Sequence, residues 1–149
     1  MEHNKLRFAL IGNIYQGKKS ASIQQVLSSI SRYEAELYVD MEYYYFLKDN
    51  QRLDIKAAKL FTDDNFEADF VISMGGDGTF LKAASRVGAK SIPILGVNMG
   101  RLGFLADISP DQFAPTLDAL YHDDYYLESR ALIQVETDGA PLGTCRFAL

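Results

Sequence analysis

The sequence predicts an α/β fold, in which an open, mostly parallel sheet with flanking helices is followed by the start of an all-β domain. Short apolar runs typical of buried strands alternate with stretches of helical periodicity as far as about residue 122. This alternation favours right-handed βαβ units and a parallel sheet. After Tyr125 it stops, and two β-like runs flank Asp138-Gly139, a dipeptide typical of hairpin turns. We therefore predict an α/β domain over residues 1–124 and the beginning of an all-β domain over residues 125–149.

The first stretch of the chain predicts a strand, a helix and a second strand. Residues 6–11 are an apolar run typical of a buried strand, and residues 36–39 are the second strand. Between them, apolar side chains recur at the i, i+3, i+4, i+7 spacing of one helix face: Ile23, Val26, Leu27 and Ile30.

The middle of the chain is harder to interpret. The aromatic residues 43–47 fit a helix face, a partner surface or a core element, of which we favour the core. The polar residues 48–64 predict a surface connection with room for one short helix. Residues 70–74 are then apolar without alternation, as in a strand covered on both faces.

The next elements are a helix and a strand. The pattern predicts a helix over residues 79–87, with Gly88 as its C-cap. Residues 92–97 are another buried strand, and Pro93 is expected at its start or at a sheet edge.

The last predicted helix has a strong start signal. Ser109 is the expected N-cap, Pro110 stands at the first helical position, and Gln112 completes the pattern of a capping box. Its buried stripe is expected to consist of Phe113, Leu117, Leu120 and Tyr121.

The composition fits one globular core and excludes several classes of protein. Of the 149 residues, 48% are hydrophobic and 23% charged, and 15 Lys and Arg against 20 Asp and Glu give a net charge of −5. This hydrophobicity argues against intrinsic disorder. The acidic balance argues against nucleic acid or anionic membrane as a partner, since both attract Lys and Arg.

Membrane insertion and cysteine chemistry are also unsupported by the sequence. No apolar run approaches the roughly 18–20 residues that span a bilayer. Cys145 is the only cysteine, which excludes an intrachain disulfide and a cysteine-based zinc site. We therefore expect a cytoplasmic protein.

The first glycine-containing turn resembles a phosphate-binding P-loop only superficially. Gly12-Asn13-Ile14-Tyr15-Gln16-Gly17-Lys18 follows a strand and precedes a helix. A P-loop needs Ser or Thr directly after its lysine, to ligate Mg²⁺, and here Lys19 stands in that place. We interpret the segment as a polar turn with Ser20 or Ser22 as the helix cap.

The second candidate is Gly75-Gly76-Asp77-Gly78-Thr79, between a buried strand and a helix. Glycines let backbone N–H groups approach a phosphate closely, and a helix N-terminus favours anions. A carboxylate repels phosphate, so Asp77 suggests a metal ligand or the acceptor of a proton from an attacking hydroxyl. The alternative is a tight turn with Asp77 as an N-cap.

The third candidate lies at the end of the next strand and reads Gly96-Val97-Asn98-Met99-Gly100-Arg101-Leu102-Gly103-Phe104-Leu105-Ala106-Asp107. Loops at the carboxyl ends of parallel strands form the ligand crevice, so this loop is expected beside residues 75–79. Phe104 either stacks on a base or fills the core. Arg101 is either a phosphate or carboxylate partner or simply exposed.

These two loops together resemble those of the NAD kinases. Residues 75–79 match a motif that NAD kinases share with diacylglycerol and sphingoid lipid kinases and, more distantly, phosphofructokinases. Residues 98–105 match the NAD kinase form G-x-L-G-F-L and lack the proline and the G-T-x-N-type segment expected of lipid kinases. The resemblance covers most of the chain.

The resemblance implies an enzyme that uses ATP and Mg²⁺ to phosphorylate the 2′-hydroxyl of the adenosine ribose of NAD, giving NADP. Asp77 is implied to accept the proton of that hydroxyl. The resemblance also implies that Lys82 is a basic contact to NAD and that Phe104 is the aromatic residue beside the adenine. The full set expected to bind cofactor is Gly75, Gly76, Gly78, Thr79, Lys82, Asn98 and Phe104, and no residue is assigned to a metal.

One departure from the family pattern concerns the end of the sequence. Family members carry an Asn-Glu or Asn-Asp pair after a strand similar to Phe147-Ala148-Leu149, and this sequence stops at Leu149. We therefore expect the N-terminal part of a longer enzyme, in which the all-β domain completes the NAD site and supports homo-oligomers. The alternatives are a lipid or sphingoid kinase of the same superfamily and a non-catalytic nucleotide-binding module.

Overall fold

The computed structural model describes residues 5–17, 19–100, 103–134, 136–137, 140–141 and 147–148. Its strands are β1 (Arg7–Gly12), β2 (Glu36–Asp40), β3 (Lys59–Phe61), β4 (Phe70–Gly75), β5 (Ile94–Asn98), β6 (Ile133–Gln134), β7 (Glu136–Thr137), β8 (Ala140–Pro141) and β9 (Phe147–Ala148). Its α-helices are α1 (Ser20–Arg32), α2 (Met41–Tyr45), α3 (Asp77–Val87) and α4 (Pro110–Tyr121). A π-helical turn follows α2 at Phe46–Asn50, and a 3₁₀ turn follows α3 at Gly88–Lys90.

Five strands form one parallel sheet in the order β3-β2-β1-β4-β5. The predicted α/β fold class is thereby confirmed. The chain builds outward from β1 to β2 and β3, and then returns to the other side of β1 to form β4 and β5. The strand order therefore reverses between β1 and β4, the position at which open α/β sheets bind ligands.

Helices cover both faces of the sheet, and the alternation along β1 shows how. Phe8 and Leu10 face the larger hydrophobic cluster, where α1 and α4 pack against each other. Ala9 and Ile11 face a smaller cluster that includes side chains of α3. All four side chains are fully buried, as expected of a strand covered on both faces.

The predicted helix faces and caps are largely confirmed. The predicted stripe of α1 is buried, and so are Phe113, Leu117 and Leu120 of α4. The Ser109 N–H donates to the Gln112 Oε1 at 3.1 Å, the reciprocal arm of the predicted capping box. Gly88 is the C-cap of α3, with a φ of 56° that favours glycine.

The segment at residues 41–64 answers one open question and corrects one prediction. Tyr43, Phe46 and Leu47 are buried, so these residues of the aromatic run belong to the core as favoured above, whereas Tyr45 is 49% exposed. A Cβ on Gly12 would lie 2.5 Å from the Tyr43 Cε2, so the ring fills the space above β1. The prediction of a surface connection over residues 48–64 was wrong at β3, because a three-residue edge strand with one buried side chain is too short to show a period.

Element boundaries moved by about two residues. Helix α3 begins at Asp77 rather than Thr79, and β5 begins at Ile94, directly after Pro93. The Pro93 carbonyl accepts a hydrogen bond from the Val71 N–H at 2.9 Å, so the proline extends the pairing without needing an N–H of its own.

The C-terminal strands do not join the parallel sheet and pair antiparallel instead. Residues 125–132 have no regular secondary structure. Two antiparallel pairs follow, β6 with β9 and β7 with β8. The predicted turn at Asp138-Gly139 lies outside the described residues, and the domain boundary near residue 124 stays a prediction. Within the described part of the chain, no helix has the length and hydropathy to cross a membrane.

Candidate active site

The glycine-rich loop lies at the point where the strand order reverses. Strand β4 ends at Gly75, and α3 begins two residues later at Asp77. On one side of this turn lies the loop after β1, and on the other side lies the loop after β5, because β4 pairs with both strands. The loops that carry the two motifs therefore lie beside each other at the carboxyl edge of the sheet, as predicted.

The Asp77 carboxylate joins the two loops directly. It accepts hydrogen bonds from three consecutive backbone N–H groups of the second loop: Phe104 at 2.9 Å, Leu105 at 2.9 Å and Ala106 at 3.1 Å. These donors, Phe104 foremost, hold the pKa of the Asp77 carboxyl below its ordinary value, because they stabilise the charged form. The N-cap of α3 is Gly76, so the N-cap interpretation of Asp77 was wrong.

The glycines of the two loops fall into two groups: an added Cβ would collide with another residue at some and would meet no described atom at others. A Cβ on Gly75 would lie 2.8 Å from the Thr79 Cβ, and one on Gly103 would lie 2.6 Å from the Asp77 Cγ. At Gly76 and Gly78, by contrast, no described atom lies within 4 Å of an added Cβ. The turn therefore presents an open backbone surface at these two positions.

Asn98 organises the start of the second loop. Its side chain is 7% exposed. The Nδ2 donates to the Ala106 carbonyl at 3.1 Å, and the Oδ1 accepts from the Gly100 N–H at 2.9 Å. Ala106 is fully buried and packs under Gly96, where an added Cβ would lie 2.8 Å from the Ala106 Cα. Asn98 thus ties the two ends of the loop together.

Phe104 and Lys82 are both exposed. Phe104 is 95% exposed, so the alternative that it fills the core was wrong, and its ring is available to a ligand. Lys82 lies one turn into α3 with its side chain in solvent. Thr79 is buried on the inner side of the same helix start. Arg101 lies outside the described residues.

The loop after β1 also reaches the site, through Gln16, which lies outside the two loops that carry the family motifs. The Gln16 Nε2 donates to the Met99 carbonyl at 3.1 Å. The Gln51 Oε1 accepts from the N–H of Lys19, the N-cap of α1. The helix begins at Ser20, so the expected serine caps were wrong, and Lys18 lies outside the described residues. The N–H of the N-cap residue of α1 is therefore partnered by a glutamine that sequence alone does not indicate.

The far end of α3 carries a second group that sequence reasoning missed. The Arg86 Nη1 lies 2.7 Å from the Asp40 Oδ1, and its Nε lies 2.8 Å from the Asp64 Oδ1. The guanidinium lies 5.1 Å from the ring centroid of Phe61. Asp40 in turn accepts from the Tyr43 N–H at 3.2 Å and caps α2. Arg86 therefore attaches α3 to the carboxyl end of β2.

The part of the chain that the structure describes was also compared with the ligand sets that hold metal ions in proteins. Among the residues that the structure describes, no group of three or more His, Cys, Asp or Glu side chains is placed to hold one. The Asp77 carboxylate is already bonded to three N–H groups.

The chain matches known proteins over most of its length. The family model for the ATP-NAD kinase N-terminal domain matches residues 16–125. The NAD kinase of Bacteroides fragilis is 47% identical over 144 residues, which are 97% of this chain and 50% of that protein. The NAD kinase of Porphyromonas gingivalis is 36% identical over 134 residues, 89% of this chain and 46% of that protein. The chain spans about half the length of these curated relatives.

Solved structures show the same architecture. A yeast NADH kinase complexed with NADH aligns with a TM-score of 0.74 at 14% identity, covering 97% of this chain and 46% of that one. An NAD kinase from Archaeoglobus fulgidus in complex with ATP aligns with a TM-score of 0.50 at 25% identity, covering 79% and 38%. The family match, the relatives and the shared fold agree with the two loop motifs: the chain belongs to the NAD kinase family.

Proposed function

We propose that this chain forms the catalytic N-terminal part of an ATP-dependent NAD kinase. The reaction transfers the γ-phosphoryl group of ATP to the 2′-hydroxyl of the adenosine ribose of NAD, giving NADP and ADP. Asp77 is the proton acceptor. The observation that carries the proposal is the position of its carboxylate, at the N-terminus of α3, between an open glycine surface and the exposed Phe104 ring.

The hydrogen-bonding capacity of Asp77 leaves room for the substrate. Its Oδ1 accepts from Leu105 and Ala106, and its Oδ2 accepts from Phe104. A carboxylate offers about four acceptor positions. Counting bonds from the described residues, one position on Oδ2 is left for the ribose hydroxyl.

The proposed step balances with this one group. The 2′-oxygen forms a bond to the γ-phosphorus, the bond from that phosphorus to the bridging oxygen breaks, and ADP leaves with the electron pair. The hydroxyl proton passes to the Asp77 Oδ2. A carboxylate with a lowered pKa is a weak base, but the hydroxyl becomes acidic late in a loose transition state. Orienting the hydroxyl is therefore the larger part of the task.

The remaining site residues are assigned to ligand binding. Gly76 and Gly78 stand at the N-cap and in the first turn of α3, where backbone N–H groups have no acceptor within the helix, and no described atom lies within 4 Å of an added Cβ at either residue. We assign these N–H groups to phosphate oxygens. Gly75 and Thr79 act through the shape of the turn, since both are buried. Lys82 supplies a positive charge beside NAD, and Asn98 holds the loop and the adjoining ligand surface.

The aromatic contact is assigned to the base. Phe104 presents its ring to solvent at the rim of the site, and stacking on adenine would cover it. ATP is proposed to enter as its Mg²⁺ complex, with the metal carried on the phosphates as part of the substrate.

The names of the relatives favour NAD over a lipid acceptor. Both curated relatives described above are NAD kinases, and the Archaeoglobus fulgidus structure contains ATP. We further propose a cytoplasmic location, on the single cysteine of the sequence, and homo-oligomers of the full-length protein, which light scattering would detect.

The test is the Asp77→Asn variant of the full-length protein, assayed with NAD and ATP. We expect NADP formation to fall by about 10²–10⁴-fold, because the proton acceptor is lost, while circular dichroism stays unchanged. Asp107→Asn is the matched control, since Asp107 is an exposed carboxylate of the same loop, and its activity is expected to stay near that of the unmodified protein.

Three results would contradict the proposal. Turnover retained in Asp77→Asn would remove the proton-acceptor role. Phosphoryl transfer to diacylglycerol, measured side by side with NAD, would favour a lipid kinase. Tight binding of NAD or ATP by calorimetry without turnover would favour a non-catalytic module.

A further inference from the structure

We propose that Asp77 is also a positioning residue for the loop that carries Phe104. Its carboxylate holds residues 103–106 against the start of α3, and this contact determines where the Phe104 ring stands. The structural part of this proposal is independent of the reaction. Its consequence for NAD binding rests on the function proposed above.

Three backbone donors of the loop converge on one side chain. Phe104, Leu105 and Ala106 are consecutive, and all three N–H groups donate to the Asp77 carboxylate, 27 to 29 residues away in sequence. Successive N–H groups that point to one side form a concave site for an anion. Hydrogen bonds to a charged acceptor are roughly twice as strong as neutral ones. The loop thus binds the carboxylate as it would bind an anionic ligand.

The shape of the loop also depends on this carboxylate. An added Cβ on Gly103 would lie 2.6 Å from the Asp77 Cγ, which is closer than real Cβ atoms approach. Glycine is needed there because the Asp77 carboxyl occupies the space.

The Phe104 ring has little packing of its own. Its ring is 95% exposed, whereas Ala106 is fully buried under Gly96 and bonded to Asn98. The loop is therefore fixed at Ala106 by packing, and at Phe104 by the hydrogen bond from its N–H to the Asp77 Oδ2. Removing the carboxylate releases the aromatic end of the loop and leaves the other end attached.

One carboxylate then serves two parts of the same nucleoside. Its Oδ2 faces the ribose hydroxyl, and the loop that it holds presents Phe104 to the adenine of the same nucleoside. The distance between the base and the hydroxyl is fixed in NAD. Holding both contacts from one side chain sets that spacing in the protein, which places the hydroxyl for attack.

The test measures amide hydrogen exchange of the full chain by NMR in two pairs of variants. Asp77→Ala is expected to raise exchange at Phe104, Leu105 and Ala106 by at least about tenfold, since a lost bond of about 1.4 kcal/mol gives that factor. Asp77→Asn keeps one carbonyl oxygen, so exchange should rise mainly at Phe104. Asp107→Asn should change none of the three.

The second pair of variants keeps the Asp77 carboxylate and places a methyl group on a glycine of the loop. Gly103→Ala is expected to raise exchange at the same three amides, because the new Cβ separates the loop from Asp77. Gly100→Ala is its control, since no described atom lies within 4 Å of an added Cβ there. Protection of Ile11 and Ile72 in the sheet core reports whether each variant is folded.

Enzyme kinetics on the full-length protein separate positioning from a general loss of structure. Gly103→Ala should raise the KM for NAD by about tenfold and lower kcat less than Asp77→Asn does, because the proton acceptor is still present. Unchanged exchange at Phe104 in both Asp77→Ala and Gly103→Ala would overturn the positioning role, whatever the activity. An unmodified protein that forms no NADP would overturn the proposed function and leave the exchange result standing.

Discussion

The two ends of helix α3 are both attached by charged side chains, but in opposite ways. At the N-terminus, the partly exposed Asp77 carboxylate is bonded to three backbone N–H groups of a loop. At the other end, the Arg86 guanidinium forms an ion pair with Asp40, and the exposed fractions of the two side chains are 12% and 10%. Both charges have the sign that the helix dipole favours at their end.

The difference between these ends separates function from stability. Backbone N–H donors stabilise a carboxylate without neutralising it, so Asp77 remains a charged group facing the open side of the site. The Arg86 guanidinium is paired with the carboxylates of Asp40 and Asp64, and it lies over the rings of Phe61 and Phe66. We therefore expect changes at Asp77 to affect ligands and loop position, and changes at Arg86 to affect the folding of the whole sheet.

The largest effect on stability is expected from Arg86→Ala. Removing one partner of a buried ion pair leaves the other charge buried, which costs about 3–5 kcal/mol. Urea unfolding followed by circular dichroism would measure the loss. Lys82→Ala is the control on the same helix, because an exposed side chain is expected to change the free energy of unfolding by no more than about 0.5 kcal/mol.

A double variant distinguishes the lost charge balance from lost packing. Arg86→Met with Asp40→Asn removes both charges and keeps a hydrogen-bond acceptor for the Tyr43 N–H. It should recover a large part of the loss seen in Arg86→Ala, since a buried pair replaced as a whole costs less than a broken one. A loss below about 1 kcal/mol in Arg86→Ala would contradict the comparison of the two ends.

A smaller effect, with a defined pH dependence, is expected from Asp77→Asn. The folded protein holds the pKa of Asp77 below its ordinary value of 3.8. The carboxylate therefore stabilises the fold at pH values above 3.8, and this contribution is lost as the pH falls through the lowered value. The difference in Tm between the unmodified chain and Asp77→Asn should be constant from about pH 7 to pH 5 and should shrink at lower pH.

The outcome that would contradict this is a difference in Tm that stays constant, or grows, as the pH falls below that range. The comparison uses a difference between two proteins, so titration of the other carboxylates in the chain largely cancels.

The sequence singled out Asp77 at the N-terminal end of α3 but did not predict which groups its carboxylate is bonded to. The motif at residues 75–79 identified Asp77, because a carboxylate among glycines at a helix start needs an explanation. Its partners are backbone N–H groups, which every residue except proline carries, so no residue type in the second loop marks them. Gly103 is the one sequence signal of this contact, and its reason became evident only from the overlap with the carboxyl.

The other end of α3 was not predictable in the same way. Arg86 stands in an ordinary helical pattern, and Asp40 is 46 residues away with no motif to connect them. The strands and helix faces that were predicted correctly have a local period, as in the stripe of α1 and the run at residues 70–74. The strand β3 has no such period, and neither does an ion pair between distant elements.

The smallest effect on stability is expected at Ser73, which lies in β4 two residues before the strand ends at Gly75. Asp77 and Arg86 have partners for their charges, whereas the Ser73 Oγ is fully buried and has no hydrogen-bond partner among the described residues. A buried hydroxyl without a partner has lost its hydrogen bonds to water and forms none in the protein, which lowers the free energy of unfolding. Ser73→Ala should therefore leave the fold intact and raise the free energy of unfolding by about 1 kcal/mol.

Ser73→Thr is the matched variant for this prediction. It keeps the hydroxyl and adds a methyl group at a position in the middle of the sheet between β1 and β5. Overpacking of this kind costs about 1–3 kcal/mol, so the two substitutions should move stability in opposite directions in the same urea experiment. A Ser73→Ala protein that is less stable than the unmodified chain would show that this hydroxyl has a partner after all, and would add Ser73 to the groups that hold the glycine loop.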